Sequence, residues 1–431
     1  MKSRSGLLKS SRSLIFLLSI GLLMGLLMAL VSNCFVLGVE WFTSQREQIG
    51  LRSMSFSNFN VSFAPLIFLL GAACLVLLIK RVFGIGRYHG PADSIHAAHV
   101  STNELELKKG FGSTLAAFVS ASGGASVGQY GPLVHFGTVV GCFIQRYSSG
   151  PVSNDIFIGC GVAGAISAGF NAPLAGILFA HEVILRRLSL RAIAPIAMSS
   201  IVAAAASRWA IGDRLLFELK FPDFSLLDLL PGILLTAPVF ALVAILFMLV
   251  VLGTARFAAE TRIRPAYLIL IAALICGATG IFFPEILGLG TDTINSMISG
   301  EFAVTYLCIL FFAKAVMTAI CVGFGLFGGV VLPALFIGTA AGVLGSHALA
   351  AIGLAAGSAV SVAGMAAVAA AVIGAPLSTI ILLLEITKSY EFAVAAMLAV
   401  VTCTLITNEF FGASLFDRQL RERGIDLDRA R

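Results

Sequence analysis

The 431 residues are 58% hydrophobic, only 12% charged, and carry a net charge of +6. Soluble domains carry about 25% charged residues, so this apolar surface cannot all be core, and much of it faces lipid. The positive excess belongs to membrane topology, where cytoplasmic flanks gather Lys and Arg, and implies no nucleic-acid partner.

In chain order, hydrophobic stretches lie near 13–39, 62–80, 110–144, 155–185, 192–210, 229–254, 265–283, 302–322, 323–352, 357–384 and 391–411, with polar breaks at 40–60, 85–109, 211–226 and 285–301. One span needs about 20 apolar residues. The first stretch, Ser13 to Leu37, is too long for a signal-peptide core and reads as a retained span. Lys2, Arg4, Lys9 and Arg12 precede it, and Arg418, Arg421, Arg423, Arg429 and Arg431 follow the last one, so both termini are expected in the cytoplasm. Lys80, Arg81 and Arg87 mark a second inside region. From Ala315 to Leu384, 70 residues carry no Asp, Glu, Lys or Arg, which fits several embedded segments joined by tight turns. The expectation is an all-α polytopic membrane protein of ten or eleven segments. The 44 glycines suit closely packed or interrupted helices. All eight cysteines lie in or beside apolar stretches without a CxxC pair and read as small packing residues.

An internal repeat organises the chain. Pro132-Leu-Val-His-Phe-Gly137-Thr138-Val-Val-Gly141 matches Pro333-Ala-Leu-Phe-Ile-Gly338-Thr339-Ala-Ala-Gly342, both P-x4-G-T-x-x-G, at an offset of 201. Ala172-Pro173-Leu174 with Glu182 matches Ala375-Pro376-Leu377 with Glu385 at an offset of 203, and the Pro-to-Glu distance is nine in each copy. This predicts a single transmembrane domain, with a first repeat over about 60–210, a second over about 255–411 and a short cytoplasmic tail over 412–431. Duplicated halves commonly place a substrate path at their interface, built from interrupted helices. The residues alone leave parallel and inverted halves open.

Each repeat opens with a glycine-rich turn before its proline: Gly123-Gly124-Ala-Ser126-Val-Gly128-Gln129-Tyr130-Gly131-Pro132, and Gly323-Phe-Gly325-Leu-Phe-Gly328-Gly329-Val330-Val331-Leu332-Pro333. Glycine admits close approach of backbone or ion, and proline suits a first helical turn. Each segment therefore reads as a break followed by a helix start, and a helix start offers free N–H groups and partial positive charge. Two such starts at the midplane make an anion site without a full positive charge, from which an ion can still leave.

These motifs resemble the CLC family of chloride channels and chloride/proton antiporters. Gly128-Gln129-Tyr130-Gly131-Pro132 is similar to its G-[KR]-E-G-P, and Gly329-Val330-Val331-Leu332-Pro333 to its G-x-F-x-P. Phe170 to Gly176 with Glu182 is similar to the helix after its first pore loop, and Leu384-Glu385-Ile386-Thr387 with Tyr390 to its L-E-[MIL]-T-x-x-Y. His89-Gly90-Pro91-Ala92-Asp93 stands, poorly matched, where the family has G-S-G-I-P. The resemblance implies the CLC-type inverted-topology repeat, a homodimer with one pathway per subunit, and chloride or similar anions as cargo, with no cofactor. The tail after Phe411 is too short for paired CBS domains, which points to a bacterial inner membrane.

The departures carry the functional expectation. Tyr130 stands at the family's gating glutamate, and Val183 at its inner proton-transfer glutamate. A tyrosine, with an ordinary pKa of about 10, does not cycle protons near neutrality, and a valine cannot titrate. The expectation is a chloride channel uncoupled from protons; the alternative is a chloride/proton antiporter using other groups. The family's motif serine aligns with Gly90, or with Pro91 in a slipped register, and its pore tyrosine with Phe416. The resemblance thus implies an anion pathway along Gly90, Pro91, Gly128, Gln129, Tyr130, Gly131, Gly329, Val330, Val331, Leu332 and Phe416, coordinated mainly by backbone amides.

Glu182 and Glu385 are ionisable residues in apolar helices, a functional signal by default; their matched positions point instead to a shared structural role on backbone N–H groups of a neighbouring turn. His135, a turn after Tyr130, and His181 read as packing residues. His96 and His99 have i, i+3 spacing but no third ligand nearby, so no metal site is expected. Arg186, Arg187 and Arg191 read as a solvated helix end. A membrane-embedded enzyme would need a catalytic pair such as HExxH, and the sequence has none.

Overall fold

The computed structural model describes residues 4–50, 54–56, 59–100, 105–148, 153–213, 217, 226–354 and 357–425. Of the terminal charges counted above, Lys2, Arg429 and Arg431 lie outside these residues, as do the side chains of Arg4, Lys9 and Arg12.

Helix α1 (Arg4–Gly50) has 47 residues, about 70 Å at 1.5 Å per residue, so it continues well past the predicted span into the first polar break. A hairpin of two three-residue strands, β1 (Met54–Phe56) and β2 (Phe59–Val61), follows it with Met54 opposite Val61, the one departure from all-α structure among the described residues. Next come α2 (Ala64–Phe83), α3 (Pro91–His99) and α4 (Leu107–Ser122). Then come α5 (Tyr130–Tyr147), α6 (Asn154–Phe170), α7 (Pro173–Phe179) and α8 (Leu190–Ile211). Helix α7 runs on into a π-helical turn over Ala180–Leu185. The apolar stretches at 110–144 and 155–185 are each broken in two. The first breaks at the glycine turn, and the second at Asn171, whose φ is 56°, just before Pro173. Proline at a helix start ends the preceding helix because it cannot extend it.

The second half repeats this order. Helices α9 (Leu226–Glu260), α10 (Pro265–Phe282), α11 (Thr291–Ile298), α12 (Val304–Phe324) and α13 (Val331–Ala351) are followed by α14 (Ser358–Ile373), α15 (Pro376–Thr387) and α16 (Tyr390–Phe410). Each of α10 to α16 begins some 200 residues after its counterpart among α2 to α8. Among the described residues, eight helices are long and apolar enough to cross a membrane, and the chain is a multi-pass membrane protein.

The glycines of the repeated motif set the tightest packing. A Cβ on Gly137 would lie 2.4 Å from the carbonyl oxygen of Gly161, and one on Gly338 would lie 2.4 Å from that of Gly364. Only glycine lets α5 lie so close on α6, and α13 on α14; small residues at such contacts let backbones approach within a membrane. Burying these central helices leaves α2, α8, α9 and α16 with exposed apolar faces such as Ile67, Trp209, Leu242 and Leu405.

Equivalent residues of the two halves touch reciprocally. Gly128 and Gly329 form an antiparallel bridge, each N–H donating to the other's carbonyl at 2.6 Å. Glu182 bonds the start of α15, and Glu385 the start of α7. Such reciprocity is the signature of a two-fold relation, here within one chain.

Candidate functional site

The glycine bridge brings the beginnings of α5 and α13 side by side. A third helix start, that of α3, arrives beside them. Gly90 is its N-cap, Pro91 occupies the first turn, and the Asp93 carboxylate accepts the Gly90 N–H at 3.0 Å. The first amides of each helix have no intrahelical acceptor, so three sets of N–H groups and three positive dipole ends converge.

A cavity of about 40 Å³ lies at this junction, room for one or two water-sized species. Of the pathway residues expected from sequence, Gly90, Pro91, Gly131, Gly329, Val330, Val331 and Phe416 line it. Gly128, Gln129, Tyr130 and Leu332 do not; Gly128 forms the bridge behind it. Tyr130 turns away, 1% exposed, its hydroxyl donating to Gly169 O at 3.1 Å and its ring stacked on Phe170 at 3.6 Å and 24°.

The cavity is closed on one side by residues of the C-terminal tail, Phe416 among them as expected. Ser414 and Asp417 form a capping box that starts α17 (Leu415–Glu422), and Leu415, Phe416 and Leu420 are buried. Beyond it, Arg423 Nη1 reaches Asp93 Oδ1 at 3.1 Å, while Arg87 grips the same carboxylate at 2.6 and 3.1 Å. Asp93 thus caps its own helix and anchors the tail to the mouth of the cavity.

Val183 is buried within the π-helical turn, and its carbonyl accepts from Arg186 Nε at 3.4 Å. The nearby acid Asp417 is paired with Arg186. Arg187 pairs with Asp155 at 2.5 Å yet stays exposed, so this positive helix end is solvated as expected while Arg186 and Arg187 also form cross-links. His135 is 1% exposed and stacked on His89 at 5.7 Å and 24°, and its Nδ1 has no hydrogen-bond partner. His89 Nδ1 lies 3.8 Å from Asp93. His181 Nδ1 lies 3.0 Å from Arg187 O, and His99 Nδ1 2.8 Å from Ile95 O. Among the described residues, no disulfide joins any of the eight cysteines.

A family model described as voltage gated chloride channel matches residues 71–408. The chain belongs to that family, the CLC proteins. It is 27% identical over 447 residues to the H(+)/Cl(-) exchange transporter ClcA of Yersinia pestis, covering 99% of this chain and 91% of that one. It is 25% identical over 357 residues to the voltage-gated ClC-type chloride channel ClcB of Escherichia coli, covering 80% and 83%. In structure it matches a slow cyanobacterial Cl−/H+ antiporter with a TM-score of 0.85 at 20% identity, over 94% of this chain and 97% of that one. The fold is the CLC inverted repeat, and the chain is a CLC-family anion transporter.

Tyr88 stands three residues before Pro91, the proline that starts α3, and was not among the pathway residues expected from sequence. Tyr88 lines the cavity, its hydroxyl is buried, and that hydroxyl has no hydrogen-bond partner.

Proposed function

We propose that this CLC protein passes chloride and similar small inorganic anions passively, without proton exchange, through the cavity between the helix starts of each subunit of a homodimer. It needs no cofactor, and it sits in a bacterial inner membrane with both termini in the cytoplasm, so that α17 faces inward. The observation that carries this reading is the state of Tyr130. At the gate position there is no carboxylate, and the phenol that replaces it is held by Gly169 and Phe170, off the cavity. Asp93 is the carboxylate lining the cavity, and two arginines engage it. Val183 supports the same reading, since it cannot carry a proton.

Relatives named as exchangers favour a second reading, in which protons move through other groups. The His135–His89 stack beside Asp93 is the cluster suited to that task. Proteoliposomes separate the two. With a chloride gradient and a valinomycin shunt, passive conduction gives chloride efflux with no accompanying proton uptake. Stoichiometric proton movement would overturn it in favour of exchange.

A further inference from the structure

Cys276 and Cys321 were expected to do no more than fill space, yet the fold puts them together. Cys276 lies on α10 and Cys321 in the last turn of α12, and both are wholly buried. Their sulfurs share a hydrogen bond, and both accept the backbone N–H of Ser126. The hydroxyl of Thr318, one turn before Cys321, lies 3.2 Å from that of Ser126. Ser126 stands just ahead of Gly128, so the pair supports the turn that carries the bridge to Gly329. Two buried cations neighbour Cys276, Lys314 and Arg46. Lys314 is held by two neutral acceptors, Ile286 O and Gly288 O, both at 2.9 Å. Arg46 rests on Gly124, at the other end of the same turn, and its Nη1 has no hydrogen-bond partner.

Arg46 also lines a polar cavity of about 470 Å³ between the end of α1 and the loop before α11, together with Glu40, Glu285 and Asp292. With the N-terminus in the cytoplasm, as proposed above, this cavity opens outward, toward a compartment where disulfides persist. The thiolate is the reacting form of a cysteine, and neighbouring Lys and Arg are the setting of reactive thiols. We propose that Cys276 and Cys321 are a redox modification site, closed to a disulfide by a small two-electron oxidant such as hydrogen peroxide that enters through this cavity, and that the disulfide acts on the anion path through Ser126. The Cys276 sulfur attacks one peroxide oxygen and the O–O bond breaks. Cys276 becomes a sulfenic acid, and its proton leaves with the other oxygen as water. The Cys321 sulfur then displaces the hydroxyl from Cys276, and that hydroxyl leaves as a second water with the Cys321 proton. Two thiols lose two electrons, and one peroxide is reduced to two waters. An S–S bond of about 2.05 Å draws the sulfurs closer than their hydrogen bond does and removes the S–H between them, so the Ser126 N–H and the turn ahead of Gly128 must shift. The effect on flux rests on the anion-transport reading above; the modification itself does not.

The test treats the reduced full-length protein in proteoliposomes with hydrogen peroxide, blocks the remaining thiols and maps the peptides by mass spectrometry. The proposal expects a peptide that joins Cys276 to Cys321, two hydrogens lighter than its separate parts, and chloride efflux several-fold slower. Dithiothreitol should reverse both. Cys276→Ser and Cys321→Ser should form no such peptide and keep their efflux under peroxide. Absence of the joined peptide in wild type, under peroxide that does oxidise the exposed Cys34 or Cys74, would overturn the site. A joined peptide with unchanged efflux would overturn its hold on the anion path, as would peroxide that slows both serine variants as much as the wild type. The wild-type map decides the site even if the serine variants do not fold. Reduced wild-type protein that moves no chloride would remove the transport reading, an outcome distinct from a missing disulfide in an active transporter.

Discussion

The carboxylate of Glu182 accepts the N–H of Leu377 at 2.9 Å and that of Ser378 at 2.7 Å, and Glu385 returns the same two bonds to Leu174 and Ala175 at 2.9 and 2.8 Å. Each half thus caps the helix start of the other, with negative charge at a positive dipole end. Glu182→Gln and Glu385→Gln should each cost about 1–2 kcal/mol, the worth of hydrogen bonds to a charged acceptor, and lower the thermal unfolding midpoint in detergent by similar amounts. Chloride flux per folded molecule should stay near wild type. A loss of flux without a loss of stability would give these acids a transport role.

This pairing was legible because both motifs fell at nearly one offset and both glutamates kept their distance from the proline. The bridge between Gly128 and Gly329 was not, since a run of glycines states that backbones approach and not which backbone arrives. The same limit applied to the G-T-x-x-G glycines, whose partners appear only in the fold. Gly161→Ala should lower the unfolding midpoint sharply, because the new methyl would lie 2.1 Å from Gly137 O; Gly364→Ala, 2.6 Å from Gly338 O, should do the same. Gly71→Ala, with nothing within 4 Å, should be neutral or stabilising by up to about 1 kcal/mol. A thermal scan that ranks Gly71→Ala with the other two would refute the close-contact account.

Tyr130→Glu restores a carboxylate at the start of α5. Its charged form should compete with the transported anion, and its neutral form should not. Efflux measured between about pH 4 and 8 should therefore fall as pH rises through the carboxylate's titration range, where wild-type flux changes little. A flat profile in the variant would remove position 130 from the path. Tyr130→Phe should leave flux intact and cost about 1 kcal/mol, because Gly169 O loses its donor.

That the tail holds a helix was not legible, because its charges mix in sign and the eight residues of α17 are too few to show a period. The capping-box signature of Ser414 and Asp417 was the available clue, and it marks the start of α17. What the sequence could not supply was the counterpart. Arg423 meets an aspartate 330 positions earlier, and neither residue has a repeat partner that would flag it.

That contact makes a paired prediction at the mouth beside α17. Arg87, Arg423 and Asp93 together carry one net positive charge there. Asp93→Asn raises it, so the chloride concentration for half-maximal flux should fall. Arg423→Gln lowers it, so that concentration should rise. Both shifts should shrink as gluconate salt is added, because exposed charges are screened over about 8 Å at physiological ionic strength. Stability should respond differently. Asp93→Asn leaves two partly exposed guanidinium groups without a counter-charge and weakens the bond to the Gly90 N–H, which should cost about 2 kcal/mol. Arg423→Gln leaves Asp93 held by Arg87, and should cost about 1 kcal/mol or less. Half-saturation constants that move in the same direction in both variants would show that the cluster acts through packing alone and not through its charge.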